Sequence, residues 1–204
     1  MIKIGIELNH VLRNINRQLL KYYAKSYEPS MEIDEMDDKK DVLSEYIHFS
    51  DSHIRDEFMY IDYPYEIFGC AKLMDSNLSV ELQDWMHELS NIEDEEFVLG
   101  LYSMDEAGLS IQSTFFFLSR IGCRVRSMVF PKNEKEVWDN FDVIVTANKR
   151  FLENEKPENK KVILIERDFN KSVKNKADFV YESATDVFKD KTLLDKLKAN
   201  NTNS

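Results

Sequence analysis

Five short apolar runs punctuate the chain, at residues 2–7, 97–103, 125–130, 142–146 and 161–166. Each is nearly continuous rather than alternating, as in VILI at 162–165. Continuous apolar character suits strands covered on both faces, the situation in a parallel sheet. Between these runs the period becomes helical. From residue 12 to residue 25, Leu12, Ile15, Leu19, Leu20 and Tyr23 fall on one helical face. Helical patterns also cover 106–121, 135–140 and 184–197, and 179–182 adds a candidate edge strand. Strands alternating with helices predict an α/β fold. Its sheet should be mainly parallel, five- to six-stranded and joined by right-handed crossovers.

The rhythm breaks between the first helix and residue 97. That stretch holds helical fragments at 42–49, 52–59 and 80–89, and the aromatic turn sequence YIDYPYEIFG. Residues 29–96 therefore read as a mostly helical cap inserted after the first strand-helix unit. The core is then 1–28 with 97–198, and 199–204 is a polar, flexible tail.

A chain of 204 residues with 43% hydrophobic content can bury a sizeable core. No apolar run reaches membrane-spanning length, and the N-terminus enters a strand with no signal-peptide pattern. The expectation is a soluble protein made in a cytoplasm, with no membrane partner. Cys70 and Cys123 are distant in sequence and form no CxxC pair, so both read as reduced, buried thiols. Cys123, in RIGCRVR, is either a thiol activated by its basic neighbours or a packed core residue. His10, His48, His53 and His87 show no metal-ligand spacing.

Charge is distributed unevenly. Residues 31–100 carry 20 acidic and 4 basic residues, a net of −16, which leaves +5 on the rest. An acidic lobe repels phosphates, so nucleic acid is not expected to bind through the cap. The acidity either keeps the surface solvated or faces a basic protein partner. The aromatic stretch FMYIDYPYEIFG is likewise either a partner surface or the core of the cap.

The first run ends in IGIELNHVLRN, residues 4–14, a strand-to-turn joint carrying Glu7, Asn9 and His10. This segment resembles the opening motif of the 5'(3')-deoxyribonucleotidase-like branch of the haloacid-dehalogenase-like (HAD) superfamily, where apolar residues precede Asp-x-Asp-Gly-Val. FDVIVTAN, residues 141–148, is similar to that branch's acidic motif Asp-Val-Leu-Ile-Asp-Asp. VILIERDFNK, residues 162–171, resembles its final strand and the aromatic-Asn-basic turn that follows, and EIFGCA resembles its cap segments. The order of elements is also that of the superfamily. The resemblance implies a Rossmann-like HAD core with a cap.

The chemistry implied is phosphoryl transfer to an aspartate, with a second aspartate as acid and base and Mg²⁺ held by further acids. This chain departs from that pattern. Glu7 takes the nucleophile's place with one methylene too many, and a misplacement of about 1 Å can cost roughly 100-fold. Asn9 replaces the acid/base and cannot carry a proton. His10 replaces a glycine. It is either a substitute proton donor or a histidine bonded to backbone. Thr146 and Ala147 fall where the paired metal acids belong, and Asp142 lies at the wrong end of its strand. Two phosphate-holding positions survive in type. Ser103 is either a phosphate ligand or a helix-capping serine. Lys135, and less well Lys132, is either a phosphate ligand or a surface lysine.

The leading expectation is a pseudoenzyme with no catalytic residues, no metal and no cofactor, retained to bind other proteins in a larger assembly. Degenerate nucleotidase-like proteins resembling this chain occur in tailed phages. The resemblance therefore implies a virion or assembly component, ring- or tail-associated. The alternative is a divergent Mg²⁺-dependent 5'-nucleotidase or phosphatase using Glu7, His10, Ser103 and Lys135. A third reading is a nucleotide-binding regulator.

Overall fold

Ile2 to Glu7 are all buried except Lys3, as in a strand with both faces covered. The computed structural model describes residues 1–33, 40, 46–90, 97–105, 108–124 and 127–199. Its strands in chain order are β1 (Ile2–Glu7), β2 (Arg13–Asn14), β3 (Lys72–Leu73), β4 (Phe97–Tyr102), β5 (Met128–Val129), β6 (Val143–Thr146), β7 (Lys161–Ile165) and β8 (Phe179–Tyr181). Six of them form one parallel sheet in the order β5-β4-β1-β6-β7-β8. The remaining two, β2 and β3, pair antiparallel as a separate ribbon. The helices are α1 (Asn16–Tyr27), α2 (Ser52–Glu57), α3 (Leu78–Ser90), α4 (Ile111–Arg120), α5 (Glu134–Asn140), α6 (Arg150–Glu153), α7 (Ala184–Lys189) and α8 (Leu193–Ala199). The fold is thus the α/β class expected. Among the described residues, no helix is long and apolar enough to cross a membrane.

The sheet buries two faces with different partners. Ile4, Ile6, Val143, Val145, Ile163 and Ile165 face a cluster that includes Trp85 of α3 and Phe188 of α7, whose rings stack 5.0 Å apart. On the other face Ile144, Val162 and Leu164 pack with Val137, Trp138 and Phe151. Gly5 of β1 pairs in register with Gly100 of β4, and the Phe141 ring lies over both. A side chain at Gly5 would place its Cβ 2.6 Å from that ring, and one at Gly100 would sit at 2.8 Å.

Several boundaries differ from expectation, each for a local reason. The first helix begins at Asn16 rather than residue 12, because Arg13 and Asn14 pair with Leu73 and Lys72. Residues 52–59 are helical only to Glu57. The chain then widens into π-helical turns at Phe58–Asp62 and Tyr65–Gly69, which contain most of the aromatic turn sequence. The helix expected at 184–197 is two helices. The Asp190 carboxylate accepts from the Thr192 N–H (2.8 Å) and hydroxyl (2.6 Å) and ends the first of them. Of the expected 106–121, α4 covers Ile111–Arg120, Gly108 is left-handed, and 106–107 lie outside the described residues. The expected strand at 125–130 is described only from 127 and pairs at Met128–Val129. Of the fragment at 42–49, residues 46–49 are described and are not helical. The tail beyond 199 also lies outside the described residues.

Hydrophobic packing runs across the expected limits of the 29–96 insertion. Ile15, Leu19, Leu20 and Tyr23 of the first helical segment pack with Phe58, Ile67, Phe68 and Ala71 of the cap. Leu78, Leu82, Trp85 and Leu89 of α3 join the core of the sheet instead. The aromatic residues split as well. Phe58 and Phe68 are buried, whereas Ile61 and Tyr65 are exposed. Cys70 and Cys123 are half-buried thiols, and Cys123 packs against the core cluster of the sheet.

Candidate functional site at the ends of β1 and β6

The strand order reverses beside β1, where the chain has laid β4 and β5 on one side and places β6 to β8 on the other. In open α/β sheets the crevice at the carboxyl ends of the strands near such a switch is the usual ligand site. Here those ends carry Glu7 on β1 and Thr146 on β6. Both are buried, and the Thr146 hydroxyl donates to Glu7 Oε2. The backbone N–H groups of Ala147 and Asn148 lie near the Glu7 carboxyl and favour its anion. The Asn148 N–H reaches Thr146 Oγ1 as well, at 2.9 Å. Burial nevertheless pushes the Glu7 carboxyl up to about 7, because desolvation of the anion outweighs these donors. Tyr102, the register partner of Glu7 on β4, has a buried hydroxyl without a well-formed hydrogen bond. Burial, and the neighbouring Glu7 charge, raise it well above the ordinary tyrosine range.

Beyond Glu7 the chain makes a tight loop. The N–H groups of Leu12 and Arg13 both bond the Leu8 carbonyl, and the His10 N–H bonds the Arg13 carbonyl. His10 takes φ +64°, a left-handed conformation that glycine adopts more easily. Its ring meets Phe169 edge-on at 5.7 Å, and its carbonyl accepts from Arg167 at 3.2 Å. His10 is thereby packed against the segment after β7.

Asn9 and Ser103 point to one group, the Arg13 guanidinium. Asn9 Oδ1 accepts from Arg13 Nε (3.0 Å) and Nη2 (2.7 Å), and Ser103 Oγ accepts from Nη2 at 3.3 Å. Nη1 donates to the Phe68 carbonyl (3.2 Å) and to Thr114 Oγ1 (3.1 Å). The guanidinium lies 5.2 Å from the Phe68 ring centre and 5.3 Å from that of Phe117. Arg13 is completely buried. Burial lowers its guanidinium to about 9, opposed by Tyr60 and Asp105, so it is still a cation at neutral pH. Ser103 is here an acceptor for an internal arginine.

Lys135 lies exposed in the first turn of α5, and among the described residues it makes no hydrogen bond or ion pair with this site. Lys132 is also exposed, and its backbone N–H bonds Glu136. Ala147 is buried, and its carbonyl accepts from Asn170 Nδ2 at 2.9 Å, which also bonds the Ile165 carbonyl at 3.0 Å. Asn170 belongs to the aromatic-Asn-basic turn and holds the end of β6 against the end of β7. Asp142 is at the opposite end of β6, tied to the Lys3 N–H and the Lys160 ammonium.

No protein-family model matches the sequence, and comparison with curated proteins gives no match. Among solved structures, the chain is similar to a protein from Burkholderia xenovorans LB400 described as a haloacid dehalogenase-like hydrolase. The TM-score is 0.52 at 10% identity, over 94% of this chain and 97% of that one. The likeness is one of fold. Glu7, Asn9, Ser103, Thr146 and Ala147 lie at or just beyond the carboxyl ends of β1, β4 and β6. Arg13 is the residue that sequence reasoning missed. A Mg²⁺ ion does not fit these donors. Glu7 already accepts from the Thr146 hydroxyl, its burial favours the neutral acid, and Thr146 and Ala147 add no carboxylate. Among the described residues, no group of three or more His, Cys, Asp or Glu side chains could hold a metal ion.

Proposed function

We propose that this chain is a catalytically inactive HAD-fold protein, derived from the nucleotidase-like branch and kept as a structural or interaction protein. The observation that carries this reading is the Arg13 guanidinium, which takes the hydrogen bonds of Asn9 and Ser103. The groups that would serve as acid/base and as phosphate ligand are thus committed to a side chain of the protein itself. Glu7, the one carboxylate at the familiar positions, is buried and held by neighbouring donors. Fold is retained when chemistry is lost, because the sheet and its packing do not depend on the site. The acidic 31–100 segment favours a protein partner with a basic face. The resemblance to degenerate phage-encoded members supports placement in a virion or its assembly.

The test is hydrolysis of nucleoside monophosphates and of a generic aryl phosphate with Mg²⁺ present. The expected rate equals the buffer blank, for the native chain and for Glu7→Ala alike. Turnover by the native chain that disappears in Glu7→Ala would establish the divergent-phosphatase reading in place of this one. Titration calorimetry with nucleotides to millimolar concentration is expected to give no binding heat, and a saturable heat would favour a nucleotide-binding regulator.

A further inference from the structure

Arg13 is second only to Trp85 in size among the fully buried side chains. Among the described residues it forms no ion pair, yet a buried charge without compensation costs several kcal/mol. Beside the nearby Asp105 charge, its surroundings supply the compensation by hydrogen bonds. A guanidinium has five N–H groups. Two bonds go to Asn9 Oδ1, and one each to Ser103 Oγ, Thr114 Oγ1 and the Phe68 carbonyl, so all five are used. Two aromatic rings flank the cation, as in cation–π recognition. The acceptors come from four separate segments: the loop after β1, the end of β4, α4, and the cap turn Tyr65–Gly69. They converge on one planar cation, and each accepts from it.

We propose that this space is a guanidinium-binding site, that Arg13 fills it in cis, and that its occupation docks the cap turn Tyr65–Gly69 on the core. Other contacts at the same seam support the docking. Arg120 Nη1 donates to the Gly69 carbonyl at 2.7 Å, and the Tyr65 and Phe116 rings meet at 4.7 Å. These reach only α4. Among the described residues, Arg13 alone links the turn by hydrogen bonds to the ends of β1 and β4 as well. The inference builds on the reading of the site as catalytically silent. It is measured by stability and amide exchange rather than turnover, so either can fail without the other.

The experiment is chemical rescue. Arg13→Ala leaves an acceptor-lined hole, and the melting temperature is expected to fall by roughly 6–12 °C. Amides of the turn, such as those of Ile67 and Cys70, which bond the carbonyls of Tyr63 and Tyr65, are expected to exchange at least about 10-fold faster relative to amides of β1. Methylguanidinium at about 10 mM, far below denaturing levels, is expected to restore at least about half of the lost melting temperature and the amide protection. Urea, which is neutral and similar in shape, and NaCl at matched ionic strength are expected to restore neither. A fall smaller than about 3 °C, or equal recovery with urea or NaCl, overturns the proposal. If Arg13→Ala does not fold, Arg13→Lys carries the test, since it keeps the charge and loses the planar fork. A fall of about 3 °C or more with faster Cys70 exchange supports the guanidinium site, and anything less overturns it.

Discussion

Gly5→Ala is expected to lower stability by about 2–3 kcal/mol, toward the upper end of ordinary overpacking. The added methyl would lie 2.6 Å from two atoms of the Phe141 ring and 2.9 Å from a third. The ring cannot easily move away. The Phe141 N–H bonds the Val137 carbonyl, its own carbonyl accepts from Lys160, and Tyr102 packs 5.7 Å from it. Its other neighbour beneath is Gly100, where a Cβ would meet the same ring at 2.8 Å. Two glycines in register on adjacent strands thus form a shallow trough for one aromatic ring. Glycine normally weakens a strand interior, so its presence here reflects the close approach. Phe141→Ala alone is expected to cost about 3–5 kcal/mol. The double variant should cost about 1–3 kcal/mol less than the sum of the two, because the clash disappears with the ring. Urea unfolding of the four proteins measures this coupling, and additive losses would show that Gly5 is required for another reason.

Replacing Glu7 by glutamine gives the second large effect. The stability of Glu7→Gln relative to the native chain is expected to grow by about 1–3 kcal/mol between pH 5 and pH 8. An ordinary glutamate titrates near 4.5, and burial pushes Glu7 up to about 7. Below the lower value both folded and unfolded chains are protonated, and Glu7 contributes no pH dependence. Between the two values the folded chain keeps a proton that the unfolded chain has released. Native stability therefore falls as pH rises through this window and stays lower above it. Glutamine is neutral throughout and escapes the loss. Comparing the two proteins at each pH cancels the histidines. It also cancels the carboxylates that shift the other way, such as Asp142, held down by the Lys3 N–H and Lys160 despite partial burial. Urea unfolding at pH 5, 6, 7 and 8 provides the measurement. A constant difference across that range would mean that Glu7 is not paying a desolvation cost.

The strands were readable because burial on both faces leaves a continuous apolar run, and 2–7, 97–103, 142–146 and 161–166 fall within a residue of what forms. Helix limits were harder because they turn on single polar contacts. The Asp190 carboxylate breaks one helix, and the pairing of Arg13 and Asn14 with a ribbon strand delays another. Glu7 and Thr146 were placed in one site by the motif resemblance, and they end strands that lie side by side in the sheet. Arg13 could not be so placed. In VLRN it looks like a surface charge between apolar residues. Its acceptors in Phe68, Ser103 and Thr114 lie 55, 90 and 101 residues away. Only the assembled fold turns those distances into one cage.

The ribbon of β2 and β3 has a bearing on how freely the chain could be altered. The polypeptide departs toward the cap at Asn14 and comes back opposite it at Lys72, with the Met74 N–H bonding the Leu12 carbonyl beyond the pair. Both ends of the excursion are therefore fixed a strand spacing apart, about 5 Å. For such a loop, each doubling of length costs only about 0.6 kcal/mol in closure entropy. The segment between can lengthen, shorten or be exchanged as a cartridge while the sheet keeps its register. The main thread such an exchange must respect is Arg13, whose guanidinium would lose the Phe68 carbonyl and ring together.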